Sequence, residues 1–164
     1  MNIFILRHGD ANTSSRRTLD DSKRSLSERG IKEIENISKL LSNMEMRFDF
    51  IYSSPLKRAK QSAEIISKGQ KKSKIITLNE LKPEGTTNEV CKILSMQKEE
   101  SNILIVGHNP LLINITNDIV TSDKLHISLK TGGLIKIKTL AKEPQLRGEL
   151  EWLLSPRLVR KISK

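Results

Sequence analysis

Short, unbroken apolar runs stand at residues 3–6 and 103–106 of this chain. A run of that length between polar flanks is what a strand covered on both faces looks like. Residues 48–52 and 74–78 read as two more strands. Between them the apolar residues recur at helical spacing. Ile34, Ile37 and Leu41, with Ile31 and Leu40 beside them, predict a helix over 26–42, begun by Ser25 in capping-box spacing with Glu28. Ser54-Pro55 and Gly69 predict the two ends of a second helix over 55–68. Thr86 and Glu89 offer another capping box before Val90, Ile93 and Leu94, and Asn109-Pro110 opens a fourth helix reaching Val120. Beyond Val120 the pattern becomes alternating. It predicts strands at 126–130 and 134–140 joined by the turn Thr131-Gly132-Gly133, and a further short strand at 149–154.

Strands alternating with helices predict an α/β fold of three layers, α/β/α. Its sheet is mostly parallel, with helices on both faces and antiparallel edge strands near the carboxyl end. No repeat or linker interrupts the pattern, so 1–164 reads as a single domain. The stretch 68–74, with its Lys71-Lys72 pair, reads as a solvated loop.

Composition narrows the function classes. The 164 residues carry 29 Lys and Arg against 19 Asp and Glu, a formal net charge of +10. Such an excess favours an anionic partner but does not bear on the fold. The one cysteine, Cys91, leaves no disulfide framework and no thiol cluster for zinc. No apolar run approaches the ~20 residues of a membrane span, and the apolar start before Arg7 is too short for a signal peptide. The expectation is a soluble, cytoplasmic protein with no membrane partner. A basic nucleic-acid-binding domain is suggested by charge alone. One Trp, one Tyr and three Phe, scattered along the chain, make no stacking platform for single strands, and no recognition-helix or zinc-finger pattern is present.

In an open parallel sheet, ligands bind outside the carboxyl ends of the strands. Arg7, His8 and Gly9 follow the first strand. Ser53 and Ser54 follow the second, with Arg58 one turn into the next helix. Asn79 and Glu80 follow the third, and Gly107, His108 and Asn109 the fourth. The expectation is therefore that two arginines, two histidines and a carboxylate converge on one sheet edge. Two guanidinium forks can hold a phosphoryl group's oxygens. A neutral imidazole among cations keeps its lone pair and is a competent nucleophile. Gly9 is expected to let backbone amides approach the anion, Ser54 and Asn109 are expected to contact the substrate, and the helix starts at Pro55 and Pro110 to add positive dipole ends. His108 is placed to donate to the transferring group. Neither a metal nor a cofactor is expected, because no zinc spacing, Walker loop or aspartate cluster occurs.

The ordered segments FILRHGDA, RSLSERG, SSPLKRAKQSA, LNEL, IVGHNPL and EWLLSP resemble the histidine phosphatase superfamily, of phosphoglycerate-mutase-like fold. Within it they resemble the small SixA-type phosphohistidine phosphatases. The resemblance implies that His8 takes the phosphoryl group and water then releases it as inorganic phosphate, with Arg7, Arg58 and His108 forming the pocket. Glu80 in LNEL falls where larger relatives carry a proton donor, and a solvated loop carboxylate is an equal reading of it. Asp21 and Arg24 are candidates for the pocket rim. A phosphohistidine leaves as imidazole and tolerates a weak acid, whereas an alkyl phosphate needs a positioned one. Only residues 59–79 separate Arg58 from Glu80, too few for a roofing helical insert. The favoured substrate is therefore phosphohistidine on a partner protein. A small phosphomonoester, hydrolysed or isomerised on the same fold, is the alternative. Cys91 reads as packing, His126 receives no role, and Thr131-Gly132-Gly133 reads as structural.

Overall fold

The computed structural model describes residues 1–12, 20–70, 73–121, 123 and 125–162. The strands are β1 (Asn2–Arg7), β2 (Phe50–Ser53), β3 (Lys74–Thr77), β4 (Asn102–Gly107), β5 (Leu134–Ala141) and β6 (Arg147–Leu154). They form one sheet in the order β3-β2-β4-β1-β5-β6. The first four run parallel. β5 pairs antiparallel to β1, and β6 antiparallel to β5. The helices are α1 (Glu28–Asn43), α2 (Lys57–Lys68), α3 (Thr87–Ser95), α4 (Leu111–Val120) and α5 (Pro156–Ile162). This is the expected α/β architecture, a mixed sheet with an antiparallel carboxyl-terminal edge.

The unbroken apolar runs arise because β1 and β4 feed two cores at once. Ile3, Ile5, Ile103 and Ile105 pack with Leu112 and Ile115 of α4 on one face. Phe4, Leu6, Leu104 and Val106 pack with Ile34, Ile37 and Leu41 of α1, Ala59, Ala63 and Ile66 of α2, and Val159 of α5 on the other. Among the described residues, no helix is long and apolar enough to cross a membrane.

Several elements differ from the sequence expectation. Ser27, not Ser25, caps α1, its hydroxyl accepting from the Gly30 N–H at 3.0 Å. Ser25 is drawn off because its carbonyl accepts from the Asn12 N–H at 3.0 Å and its hydroxyl from Asn12 Nδ2 at 3.3 Å. α2 begins at Lys57 and has no side-chain cap, because the Ser54 hydroxyl is engaged elsewhere. The Thr86 cap is as expected, with Thr86 Oγ1 accepting from the Glu89 N–H and donating to Glu89 Oε2. Residues 126–130 form no strand. Their alternation is real, since Leu129 is buried and its neighbours are not, but both edges of β1 are taken by β4 and β5. With no free ladder on β1 the segment stays irregular. The hairpin is instead β5–β6, and α5 follows it unannounced by any strong periodicity. Lys71-Lys72 and the middle of the 10–24 loop lie outside the described residues.

Candidate active site

The parallel register builds this site. Arg7 is paired with Gly107 across β1 and β4, so the next residue of each strand, His8 and His108, leaves the sheet side by side. Their ring centroids are 4.8 Å apart. β2 lies on the other side of β4, and the turn after it delivers Arg58 in the first turn of α2. A cavity of about 440 Å³ opens over these residues, walled by Arg7, His8, Arg58, His108 and Asn109 and rimmed by Asp10, Asp21, Arg24, Pro83 and Thr131.

Hydrogen bonds fix the state of His8. Its Nδ1 lies 2.7 Å from the Gly9 carbonyl, which can only accept, so Nδ1 carries the hydrogen. Nε2 then holds the lone pair, and Arg58 Nε donates to it at 3.2 Å. Burial drives the His8 pKa down to about 4, helped by the Arg58, Arg7 and Arg24 charges and opposed by the Gly9 bond. Burial, followed by the His8 and Arg58 charges, takes His108 down to about 3. Both rings are neutral at pH 7. With 8% and 3% of their surfaces exposed, they sit where electrostatic interactions are weakly screened.

The guanidiniums are held in different ways. Arg7 Nη1 donates to the Leu129 carbonyl at 2.8 Å, while its buried Nε has no partner. Arg58 is gripped by Asp21 through Nη1 to the main-chain carbonyl at 2.8 Å and Nη2 to Oδ2 at 2.9 Å. Arg24 Nη1 donates to the other Asp21 oxygen at 2.8 Å. The Asp21 carboxylate thus bridges two of the cavity's cations. The Arg24 hydrogen bond, with that from Arg58, holds its pKa below the usual value. His108 Nδ1 and Asn109 Oδ1 are also buried without partners. A cavity with unspent donors and three guanidiniums is built for a small, highly charged oxyanion.

The expected site residues divide on inspection. Arg7, His8, Asp21, Arg24, Arg58, His108 and Asn109 all line the cavity. Gly9 does not offer its amide to an anion, because that N–H donates to Ser62 Oγ at 3.3 Å. A glycine is required for packing instead. A Cβ at Gly9 would stand 2.5 Å from the Gly30 carbonyl oxygen, and one at Gly30 would stand 2.0 Å from that of Asp10. Ser54 is fully buried behind the cavity, its hydroxyl 2.9 Å from His108 Nε2. Glu80 sits half-buried in a single 3₁₀ turn (Asn79–Leu81) and is not among the lining residues. Among the described residues, no group of three or more His, Cys, Asp and Glu is placed to hold a metal ion.

Sequence reasoning missed Asp10, Ser62 and the segment before β5. Asp10 directly follows the Arg-His-Gly triplet, and Ser62 lies one helical turn beyond Arg58, so both carried a positional signal. The Leu129 carbonyl carried none, although it accepts from both Arg7 Nη1 and Asn109 Nδ2, the latter at 2.9 Å. Gly132 completes this frame. Its N–H faces the Arg7 and His8 carbonyls, each at 3.0 Å, from a φ of 65° that favours glycine.

A family model described as the histidine phosphatase superfamily (branch 1) matches residues 3–83, which include Arg7, His8, Asp21, Arg24 and Arg58. Over that stretch the chain is similar to the histidine phosphatase superfamily. The structure of the protein histidine phosphatase SixA complexed with tungstate superposes at a TM-score of 0.84, with 26% identity over 96% of this chain and 98% of that one. The alpha-ribazole phosphatase of Shigella flexneri shares the fold at a TM-score of 0.75 and 19% identity, over 95% and 97% of the two chains. An uncharacterized protein of Picosynechococcus sp. is 26% identical over 162 residues, 96% of this chain and 98% of its own length. These likenesses support a phosphatase of the superfamily with the SixA fold.

Proposed function

We propose that this histidine phosphatase removes the phosphoryl group from phosphohistidine on a partner protein, through a phosphorylated His8. The observation that carries this reading is the His8 network. With Nδ1 tied to the Gly9 carbonyl, the Nε2 lone pair is presented among three guanidiniums. The Nε2 lone pair attacks phosphorus, and the P–N bond to the substrate imidazole breaks. That imidazole departs with a proton from solvent. Water then attacks phosphorus on His8, the new P–N bond breaks, and inorganic phosphate leaves with His8 restored. Arg58 gives up its hydrogen bond to Nε2 as phosphorus arrives. With Arg7 and His108 it stabilises the charge on the transferring oxygens. Arg24 and Asp21 set the rim, and Asn109 steadies the wall through Leu129.

The choice of leaving group rests on the acids at hand. Asp21 is bridged by two arginines and stays ionised, and Asp10 accepts from Ser27 Oγ at 2.7 Å. Glu80 stands off the cavity lining. No lining carboxyl is free to protonate an alkoxide, which favours a leaving group that needs little help. The likeness to the SixA protein supports a protein substrate. So does the formal net charge of +10, which suits an acidic phosphoprotein. The chemistry uses side-chain cations alone, without a metal or cofactor.

The test is phosphate release in EDTA from a histidine-phosphorylated protein, an aryl phosphate and a sugar phosphate, with His8→Ala beside the parent. Fast release from the phosphohistidine protein, competed by tungstate and lost in the variant, is the expected result. Preference for the sugar phosphate would move the assignment to a small phosphomonoester and return Glu80 to the acid's role.

A further inference from the structure

Ser54 is the residue whose place in the fold departs furthest from its sequence reading. It opens the turn after β2, where a helix cap or substrate ligand was expected, yet it is fully buried. Its backbone N–H donates to the Val106 carbonyl at 2.9 Å, which docks it against β4 next to His108. Its hydroxyl accepts from the Leu56 N–H at 3.4 Å and lies 2.9 Å from His108 Nε2. On the far side of the same ring, His108 Nδ1 is buried with no partner.

Two hydrogen placements are open to this pair, and they are not equivalent. If Nε2 carried the hydrogen, the Ser54 oxygen would accept from both Nε2 and Leu56. Its own O–H would then lack an acceptor in a fully buried place, and Nδ1 would be a buried lone pair beside guanidiniums. If Ser54 donates to Nε2, its oxygen accepts from Leu56 and its hydrogen is used. Nδ1–H is then the single group left over, and it is a donor. Leaving buried polar groups unpaired costs about 1–3 kcal/mol each, so the second placement is favoured.

We propose that Ser54 is a positioning residue: its hydroxyl donates to His108 Nε2 and so fixes the tautomer in which Nδ1–H serves the transferring phosphoryl group. This rests on the phosphatase reading above and adds to it the cause of His108's competence. A neutral imidazole offers one donor only. The residue behind the ring therefore decides whether the cavity meets an N–H or a lone pair that would repel phosphoryl oxygens. His8 shows the same logic with the opposite outcome, since the Gly9 carbonyl behind it draws the hydrogen away from the reacting nitrogen. One neighbour accepts and the other donates. The two adjacent rings become a nucleophile and a donor without either being charged.

The experiment reads the tautomer directly. Long-range ¹H–¹⁵N correlation spectra of the substrate-free, ¹⁵N-labelled protein near pH 7 should show His108 with Nδ1 protonated and Nε2 bare. His8 in the same spectrum serves as an internal standard. His108 protonated on Nε2 in the parent would overturn the proposal outright, and this measurement needs neither a substrate nor a variant. In Ser54→Ala the His108 pattern should move toward a mixture of tautomers. With the phosphohistidine protein, kcat should fall about tenfold or more while KM stays within about threefold, in the manner of a triad whose orienting group is lost. A folded Ser54→Ala protein with unchanged tautomer and unchanged kcat also defeats the proposal. A parent with the stated tautomer but no turnover on any phosphoryl substrate would instead count against the phosphatase reading.

Discussion

The floor and the rim of the cavity are made by different physics. The floor, His8, His108 and Arg58, is buried and set by the parallel register of β1, β4 and β2, so each group is oriented before any substrate arrives. The rim, Asp21 and Arg24, belongs to a loop, and the Asp21 side chain is 60% exposed. Its ion pairs compete with water and are individually weak. The contrast teaches that the orientation of the proposed reacting groups is stored in the sheet, whereas the entrance is adjustable at little cost. Substitutions should therefore separate into large effects below and small effects above.

The largest effect is expected at His8. His8→Ala should lower phosphate release by more than about 10³-fold with the fold intact by circular dichroism, and no acid-labile phosphoprotein should accumulate. Substantial residual turnover would transfer the nucleophile's role elsewhere. Next comes Arg58→Ala, which removes a charged donor from the transferring group. A loss of about 10²–10³-fold in kcat is expected, and a loss no larger than that of Arg24→Ala would erase the distinction between floor and rim. At the rim, Asp21→Asn breaks exposed pairs and should change kcat/KM by no more than about fivefold. Stopped turnover in that variant would make Asp21 part of the floor. Smallest is Glu80→Gln, expected to stay within about twofold on a phosphohistidine protein. A large loss there would show an acid at work.

The pH dependence sharpens the same contrast. Free histidine titrates near 6.5, but the buried His8 is held near 4. The acid limb of kcat/KM, which reports the free enzyme, should then lie near pH 4 once the substrate's own ionisation is divided out. A limb near 6.5 would mean that the nucleophile is not screened from water as described. Stability carries the same sign. Between about pH 4 and 6.5 the unfolded chain binds protons that folded His8 and His108 do not. Their contribution is full above 6.5 and is lost as the pH falls through that window. Thermal melts of His108→Asn should show a shallower loss across it than the parent.

The floor was legible in the sequence because strand ends are. An apolar run that stops at Arg7 or Gly107 marks where the chain leaves the sheet, and parallel pairing makes those exits neighbours. The rim was legible only as charged residues in a loop, since nothing in the spacing of Asp21 and Arg24 says which cations they meet. The partners of Ser54 and Gly9, His108 and Ser62, were not legible, because a sequence shows a hydroxyl or a missing side chain without its partner. The segment at 126–130 misled for a related reason. Alternation reports one buried face, and a strand also needs a free edge to pair with. Leu129 could not be found at all, because it acts through a main-chain carbonyl that every residue possesses.

The close approach of Gly9 to Gly30 has a consequence for how such a site can diversify. Backbone touches backbone there, so α1 is seated against the turn that carries His8 and cannot be drawn back to make room for a bulkier guest. That wall is a datum, in the machinist's sense, from which the His8 ring is located. Room for new specificity lies opposite, beyond β3, where the chain passes from Thr77 to Thr87 through a single 3₁₀ turn. Added chain at that place would lengthen the doorway without moving the hinge post.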